Sequence, residues 1–417
     1  MKLLFVADHL RFGGAERHTV ALAGALAQRR HDVGVAWLKD EGELGDELRR
    51  GGVGTLFCLD GRGGIDRAAI GRLGAHITDS APDVIVATSQ YSLMNALLAR
   101  LLSAQRPPIA FVCHSMDIVR RSRRERLRFL VYRHCYRAAD CVIFVSGLQQ
   151  RFFARLGVRP RRVELVHSGI DLRHFSAQAV EAQALRLRAD CGFGAHDLVV
   201  GLCAALREEK RHIDLLQAVA QLRAQGLPFK ILLVGDGPTR AAIEACRDRL
   251  GLQDALVLAG FQQDVRPWIA ACDLMALTSH AETFPIATLE YMGLGKALVA
   301  SDVGGLREQV EEGVNGLLYP AGDVAALAAA LRRMAEPGLR ARLGQGALRV
   351  AHQRFDVQAM TARFESLFQE LGAPAPAPLQ APSQATSQAP APSQAAAPLQ
   401  APLPAPVQAP AGGRHAD

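Results

Sequence analysis

Aromatic side chains make up only 6% of these 417 residues, and the eight cysteines never stand as a Cys-x-x-Cys pair. Scattered, largely inside apolar runs, Cys58, Cys113, Cys135, Cys141, Cys191, Cys203, Cys246 and Cys272 read as reduced core thiols, without a disulfide framework or a zinc site. Long apolar runs are missing too. No stretch approaches the roughly 18–20 apolar residues that a membrane-spanning helix needs. The opening run Leu3 to Ala7 is too short for a signal-peptide core and ends in a charge, so it reads as a strand and the expected location is cytoplasmic. Acids are nearly absent between Arg120 and Arg137, where eight arginines stand against the single Glu125. The net charge of +7 is therefore one local patch and not a general affinity for polyanions.

What is present is an Ala-, Leu- and Val-rich chain, 49% hydrophobic with 38 glycines, the composition of an α/β protein that turns on glycine. Its length exceeds what one core supports and predicts two domains of roughly 170–190 residues. From residue 373 to 417 only Ala, Pro, Gln, Ser and Leu recur in quantity, too little apolar variety for a core, which predicts a disordered tail.

Strand-like runs at Leu3 to Ala7, Asp32 to Trp37, Thr55 to Leu59, Val84 to Thr88, Ile109 to Cys113 and Cys141 to Val145 alternate with helical or loop segments, the signature of a parallel sheet covered by helices. The first strand leads through Phe12-Gly13-Gly14-Ala15-Glu16-Arg17 into a helix expected from His18 to Arg29. Glycines there let backbone N–H groups approach a phosphate, or simply make a turn. His114 directly follows a strand and stands where such sheets open to ligands, as a site residue or a satisfied turn residue. A polar, irregular segment from about 171 to 196 reads as an interdomain connection. The alternation then restarts at Leu198 and runs to Thr278, predicting a second doubly wound sheet, closed by helices from Asp323 to about Arg342 and from Asp356 to Leu371.

The stretch Thr278 to Gly295, TSHAETFPIATLEYMGLG, places Glu282 in a loop and Glu290 in a helix whose first turn suits Pro285. Amides at that helix start would point at an anion such as a diphosphate, and flanking carboxylates can accept hydrogen bonds from sugar hydroxyls. Between Ile118 and Arg137, Leu127, Leu130, Val131, His134 and Cys135 fall at helical spacing and arginines fill the other faces. Such a basic amphipathic helix suits an anionic membrane surface. It also suits a solvated charged face or internal ion pairs. It lacks the aromatic interleaving of a nucleic-acid binder.

Read together, the GGAER loop, the strand-end histidine, ELVHSGID, LREEK, LLVGDGP, AGFQQDV, the Thr278 stretch, ASDVGGLRE and EGVNGLL resemble, over about residues 1–372, a family 4 retaining glycosyltransferase. The resemblance implies the GT-B architecture: two doubly wound Rossmann-like domains facing each other across a cleft. Residues 1–175 would form the acceptor-side domain and 176–354 the nucleotide-sugar domain. The helix 355–372 would pack back on the first. It further implies that Glu282 and His114 contact the donor sugar, that Lys210 neutralises the leaving diphosphate, and that Glu290 holds the ribose. Gly13, Gly14, Thr283, Phe284, Pro285 and Ile286 would lie along the diphosphate, and Gly235 and Phe261 beside the nucleotide. The arginine usual five positions before the lysine is Ala205 here, with Arg207 as its stand-in.

The implied activity moves a hexose or N-acetylhexosamine from a UDP- or GDP-linked donor to a lipid-linked saccharide or cell-surface polysaccharide, at the inner face of the membrane. The donor is a substrate and no cofactor is implied. The chain has no Asp-x-Asp, the usual metal–diphosphate anchor of the other glycosyltransferase architecture, in keeping with metal-independent transfer. A nucleotide-sugar 2-epimerase and a non-catalytic membrane-docked scaffold are the alternatives.

Overall fold

The computed structural model describes residues 1–39, 41–62, 65–116 and 123–373, the side chains of 123–126 excepted. The expected tail beyond 373 and the first arginines of the basic stretch fall outside the described residues.

Residues 1–373 form one compact unit built on two sheets. In the first, β1 (Lys2–Ala7), β2 (Asp32–Trp37), β3 (Thr55–Cys58), β4 (Val84–Ala87), β5 (Ile109–Cys113), β6 (Cys141–Phe144) and β7 (Val163–Leu165) lie in the order β3-β2-β1-β4-β5-β6-β7. In the second, β8 (Leu198–Cys203), β9 (Phe229–Val234), β10 (Leu256–Leu258), β11 (Leu274–Leu277), β12 (Leu298–Ser301) and β13 (Gly316–Tyr319) lie in the order β10-β9-β8-β11-β12-β13. Every pairing is parallel, so helices must cover both faces, and the central strands read as unbroken apolar runs. In each sheet the order reverses once, between β1 and β4 and between β8 and β11. At such a point neighbouring crossovers leave in opposite directions and open a crevice beyond the strands' carboxyl ends.

Three apolar clusters fill the layers. One lies on the outer face of each sheet, and the largest runs continuously from Leu3 and Leu26 through Ile170 and Phe355 to Met275 and Met292, so the two halves share a core at their junction. All eight cysteines are free, and five of them are buried.

Some boundaries differ from the sequence reading, each for a local reason. The first helix runs Gly14–Gln28, so Gly14 to Arg17 form its first turn and, of the two glycines, only Gly13 is left outside, as its N-cap. Glycine is well tolerated at that cap, and Ala15, Glu16 and Arg17 are good helix formers. The segment after the hinge is not wholly irregular, since Glu181–Asp190 is helical. The expected helix from Asp323 to Arg342 is two, Val324–Arg333 and Pro337–Arg354, because Pro337 has no N–H to give the preceding turn but suits the start of a new helix.

The chain crosses between the halves twice. Beside the first crossing, Ile170 exchanges backbone hydrogen bonds with the returning chain, donating to Phe355 O (2.9 Å) and accepting from Val357 N (2.9 Å). The last helix, Val357–Gly372, then packs on the first helix: Phe364 is fully buried against His18, while Glu365 takes Arg29 (2.8 Å) and His31 (2.7 Å). Truncating Phe364 to Ala empties a fully enclosed ring site and should cost about 3–5 kcal/mol, seen as a lowered thermal midpoint. A midpoint equal to that of the parent would mean the last helix contributes nothing to the first domain.

Candidate functional site

The carboxyl edges of the two sheets meet where two helices begin. A Cβ on Gly14, the first residue of the first helix, would stand 3.9 Å from Ile286 Cγ1, and Ile286 opens the helix Ile286–Gly293 that follows β11. Two sets of N-terminal amides, with the positive ends of two helix dipoles, therefore converge from opposite domains, the first with the Glu16 carboxylate bonded to its own amide. Pro285 is the N-cap of the second of these helices, with φ −66°, the value its ring imposes. Tyr291 seats that helix on the sheet: its hydroxyl accepts from Cys203 N at 2.9 Å and donates to Cys203 O at 3.2 Å.

Glu282 lies in the loop before this helix. Its Oε1 accepts from Lys210 Nζ (2.7 Å) and from Ser279 Oγ (2.6 Å), with the side chain 9% exposed. Lys210 reaches it because its own turn is stapled to the end of β11, Thr278 Oγ1 donating to Lys210 O and His280 N to Glu209 O. Arg211 follows in the left-handed region (φ 49°), a conformation sustained by a bidentate grip on Asp214 at 2.7 and 3.0 Å. Behind the loop, Gly304 (φ 55°) leaves no room for a side chain, since a Cβ there would lie 1.6 Å from Glu282 O, and Gly305 N donates to Thr283 O at 3.1 Å. Gly235 is equally constrained: at φ 141° its Cβ would lie 2.0 Å from Ala204 O, and its N–H donates to Gly260 O.

Glu290, one helical turn further in, is 6% exposed and accepts Arg17 Nη1 at 2.6 Å from the first helix. Burial raises the Glu290 carboxyl and Arg17 opposes that shift. His114 stands at the end of β5 with Nε2 buried and without a partner among the described residues, its ring 4.6 Å from that of His18. Burial, and then the neighbouring imidazole, push His114 well below its ordinary range. His18 itself falls to about 4 through burial, and its Nε2 is also without a partner. Both rings are neutral at physiological pH, so this corner of the cleft can offer or accept a hydrogen bond but carries no charge.

The structure thus brings Glu282 against Lys210, Gly14 against Ile286, and Glu290 against the first helix. Arg207 is exposed, one turn before Lys210, within electrostatic reach of Glu16 and at the rim of a cavity of about 470 Å³ beside His212 and Thr239. Its guanidinium is not part of the Lys210–Glu282 pair. Phe261 is 53% exposed and meets Phe12 edge-on, centroids 5.0 Å apart. Phe284 turns inward, 6% exposed, and stacks on His167 of the hinge at 5.0 Å. His167 Nε2 lies 3.2 Å from Glu308, whose carboxylate spans the junction to accept Gly147 N (2.8 Å) and Leu148 N (2.7 Å) at the start of the helix Gly147–Arg155.

Sequence reasoning missed Phe12, Arg17, His18 and Glu308 as individual residues. All four lie in or beside quoted motifs, and only the approach of distant segments distinguishes them from ordinary surface or helix positions.

Residues 12–174 match the family described as Glycosyltransferase Family 4, and residues 197–336 match Glycosyl transferases group 1. The chain is 26% identical over 302 residues to the putative colanic acid biosynthesis glycosyltransferase WcaL of Salmonella typhimurium, covering 69% of this chain and 71% of that protein. It is 26% identical over 278 residues to the N-acetyl-alpha-D-glucosaminyl L-malate synthase of Bacillus anthracis, covering 66% and 71% respectively. Among solved structures, Anabaena HepE in complex with UDP and glucose superposes with a TM-score of 0.77 at 27% identity, covering 88% of this chain and 99% of that one.

Burial alone would raise the Glu308 carboxyl, yet the His167 hydrogen bond and the Gly147 and Leu148 amides outweigh it and hold it at about 2. A depressed folded-state value means the stabilisation is complete above the ordinary carboxyl value of 4.5 and is lost as pH falls toward 2. The stability difference between the parent and Glu308→Gln should accordingly be constant above about pH 5 and shrink between roughly pH 4.5 and 2 in pH-dependent denaturation. A difference that stays flat across that window contradicts the assignment.

Proposed function

Since the chain belongs to the family 4 glycosyltransferases and folds as two Rossmann-like domains in the GT-B arrangement, we propose that it is a retaining enzyme, moving a hexose or N-acetylhexosamine from a nucleoside-diphosphate sugar to a lipid-linked saccharide or cell-surface polysaccharide. The observation that carries this reading is the pair of carboxylates flanking one helix start, Glu282 held by Lys210 and Glu290 by Arg17, opposite a second helix start from the other domain. The UDP and glucose bound by HepE support a UDP-linked hexose as the donor to try first, with GDP-linked sugars second. The colanic acid assignment of WcaL supports a saccharide acceptor of the cell surface.

Cleavage of the donor's anomeric bond develops negative charge on the diphosphate and positive charge on the sugar. Fixed cations and amides aimed at the diphosphate stabilise that separation without reorganising at the moment of reaction. In this reading the diphosphate lies between the Gly14 and Ile286 helix starts, along Gly13 and the loop Thr283 to Pro285. It draws Lys210 from Glu282 and leaves that carboxylate to the sugar hydroxyls. Ribose hydroxyls take the Glu290 oxygens, and the released Arg17 adds a second cation near the phosphates, joined at the rim by Arg207. His114, neutral, orients the sugar by a hydrogen bond from the opposite wall. All the charge assigned to this step is carried by side chains and helix amides, so the transfer is proposed to proceed without a metal.

No helix of the described residues is long and apolar enough to cross a membrane. The basic helix Arg123–Ala138 turns Phe129, Tyr132 and Tyr136 inward, and leaves Leu127, Leu130 and Val131 at 65%, 46% and 43% exposure beside Arg128, Arg133 and Arg137. An apolar stripe rimmed by arginines matches an interfacial helix, with each cation contributing about 1 kcal/mol near anionic lipid. This supports a reading in which the enzyme works on the cytoplasmic face of the membrane, peripherally attached, beside a lipid-linked acceptor.

Turnover of UDP- and GDP-sugars by the parent, followed as release of the nucleoside diphosphate, should fall by roughly two to three orders of magnitude in Lys210→Ala and Glu282→Ala. No turnover by the parent with any donor, or variants equal to the parent, removes the enzymatic reading. Sedimentation with phosphatidylglycerol-containing liposomes should be strong at low salt, weaken as salt rises, and drop in Leu130→Asp. Equal binding to neutral vesicles counts against the membrane assignment.

A further inference from the structure

We infer that the cavity of about 470 Å³ beside the Lys210 turn is a second binding site, built for a phosphate monoester of a small hydroxylated molecule. The inference goes beyond the donor reading, since neither Lys210, Glu282 nor Glu290 lines this cavity. Its volume falls in the range of small-molecule sites, roughly 300–1,000 Å³. Two helices begin at its wall, His212–Arg223 after β8 and Arg240–Arg249 after β9. A helix start leaves amides that need an acceptor, and a side chain commonly supplies it. Neither of these starts has one. Arg211 caps the first with its guanidinium committed to Asp214, and Thr239, a favoured cap type, stands at the second without using its hydroxyl.

Other polar atoms on the cavity wall are unpaired as well. Among the described residues, the Thr239 hydroxyl is buried without a partner, and so are both ring nitrogens of His212, a residue only 2% exposed. Burial, and then Lys210, lower His212 to about 4, so the ring is neutral and offers one donor and one acceptor. Leaving such atoms unpaired is costly, and a ligand that reaches them removes the cost. Side-chain charge around the cavity balances, Arg207 and Arg211 against Glu208 and Asp214. The two helix starts, each worth about half a positive charge, therefore decide the sign and select an anion. A phosphate there meets the amides of both helix starts, with Arg207 at the rim. The remaining lining, polar Gln217 with apolar Ile213, Ala242 and Ile243, suits a small group that carries both hydroxyls and carbon faces. The walls hold themselves in place: Leu206 N donates to Asp236 O (3.0 Å) and Thr239 N to Leu206 O (3.0 Å), which stitches the two turns together. Lys210 belongs to one of those turns, so an occupant of the cavity bears on the lysine that Glu282 holds.

Calorimetric titration with glucose 6-phosphate and glycerol 3-phosphate, against inorganic phosphate and glucose, tests the assignment. A monoester should bind more tightly than inorganic phosphate, and glucose should not bind. Thr239→Val keeps the side chain's shape and removes the hydroxyl, so it should weaken the monoester roughly tenfold while leaving the thermal midpoint level or raised. Arg207 is exposed, so Arg207→Gln folds and should weaken the monoester too. The His212 ring resonances should shift on adding the monoester and stay in place with glucose. Saturating UDP should leave the monoester bound. No binding of either monoester, inorganic phosphate bound as tightly, unchanged affinity in Thr239→Val, or displacement of the monoester by UDP would each overturn the second site. UDP binding and donor turnover remain measurable in every one of those outcomes, and the donor reading stands or falls on them separately.

Discussion

A buried carboxylate needs a partner, and in this protein that requirement joins the two domains. Glu290 sits inside a helix of the second half, shielded from water, and its partner Arg17 belongs to the first helix, 273 residues earlier. Neither charge is comfortable alone: removing one partner of a buried pair commonly costs about 3–5 kcal/mol, because the other is left desolvated. The first domain supplies the missing charge. The same guanidinium lies over the Phe12 ring, which meets Phe261 of the other half close to where the two helices begin. A ligand that brings hydroxyls to Glu290 satisfies the demand in another way, and the hold between domains is then free to change.

On the hinge side the halves are joined differently. Glu308 accepts two amides at the start of a first-domain helix, and His167 links it to the ring of Phe284 in the loop before the Ile286 helix. The chain's return through Phe355 and the docking of the last helix under His18 add a second mechanical connection, which ends two rings from His114. The loop that lies along the proposed diphosphate is thus braced from behind by the hinge, while its front is held by the exchangeable pairs Lys210–Glu282 and Arg17–Glu290. Rigid support behind and replaceable contacts in front are what a site requires if it is to bind a highly charged group and later release it.

How far the chain could be read in advance varied with the range of the forces involved. Alternating apolar runs and glycine turns identified two parallel sheets, because burial on both faces of a parallel strand leaves an unbroken apolar run that sequence displays directly. Pro285 marked the start of the Ile286 helix for an equally local reason, its fixed φ. Where a local signal was ambiguous the reading slipped: two glycines suggested a loop at Gly13-Gly14, and the helix-forming residues after them won instead. On the basic helix, Leu127, Leu130 and Val131 had the right period for a stripe, but period alone does not tell which way the stripe faces. The sheet took Phe129, Tyr132 and Tyr136, and the leucines were left outside.

The residues that could only be found in three dimensions are those whose partners lie far along the chain. Sequence by itself determined the α/β class, the two repeating halves, the strand-end position of His114 and the placement of Glu282 and Glu290 around one helix start. Each of these follows from burial pattern, backbone dihedrals or hydrogen-bonding capacity over a few neighbouring residues. Tertiary structure alone decided that Arg17 faces Glu290, that His18 lies against His114, that Phe12 meets Phe261, and that Glu308 caps a helix of the other domain. Coulombic pairing and ring contact act over a few ångström in space, and where the chain folds back to supply the second member is set by the packing of both sheets together.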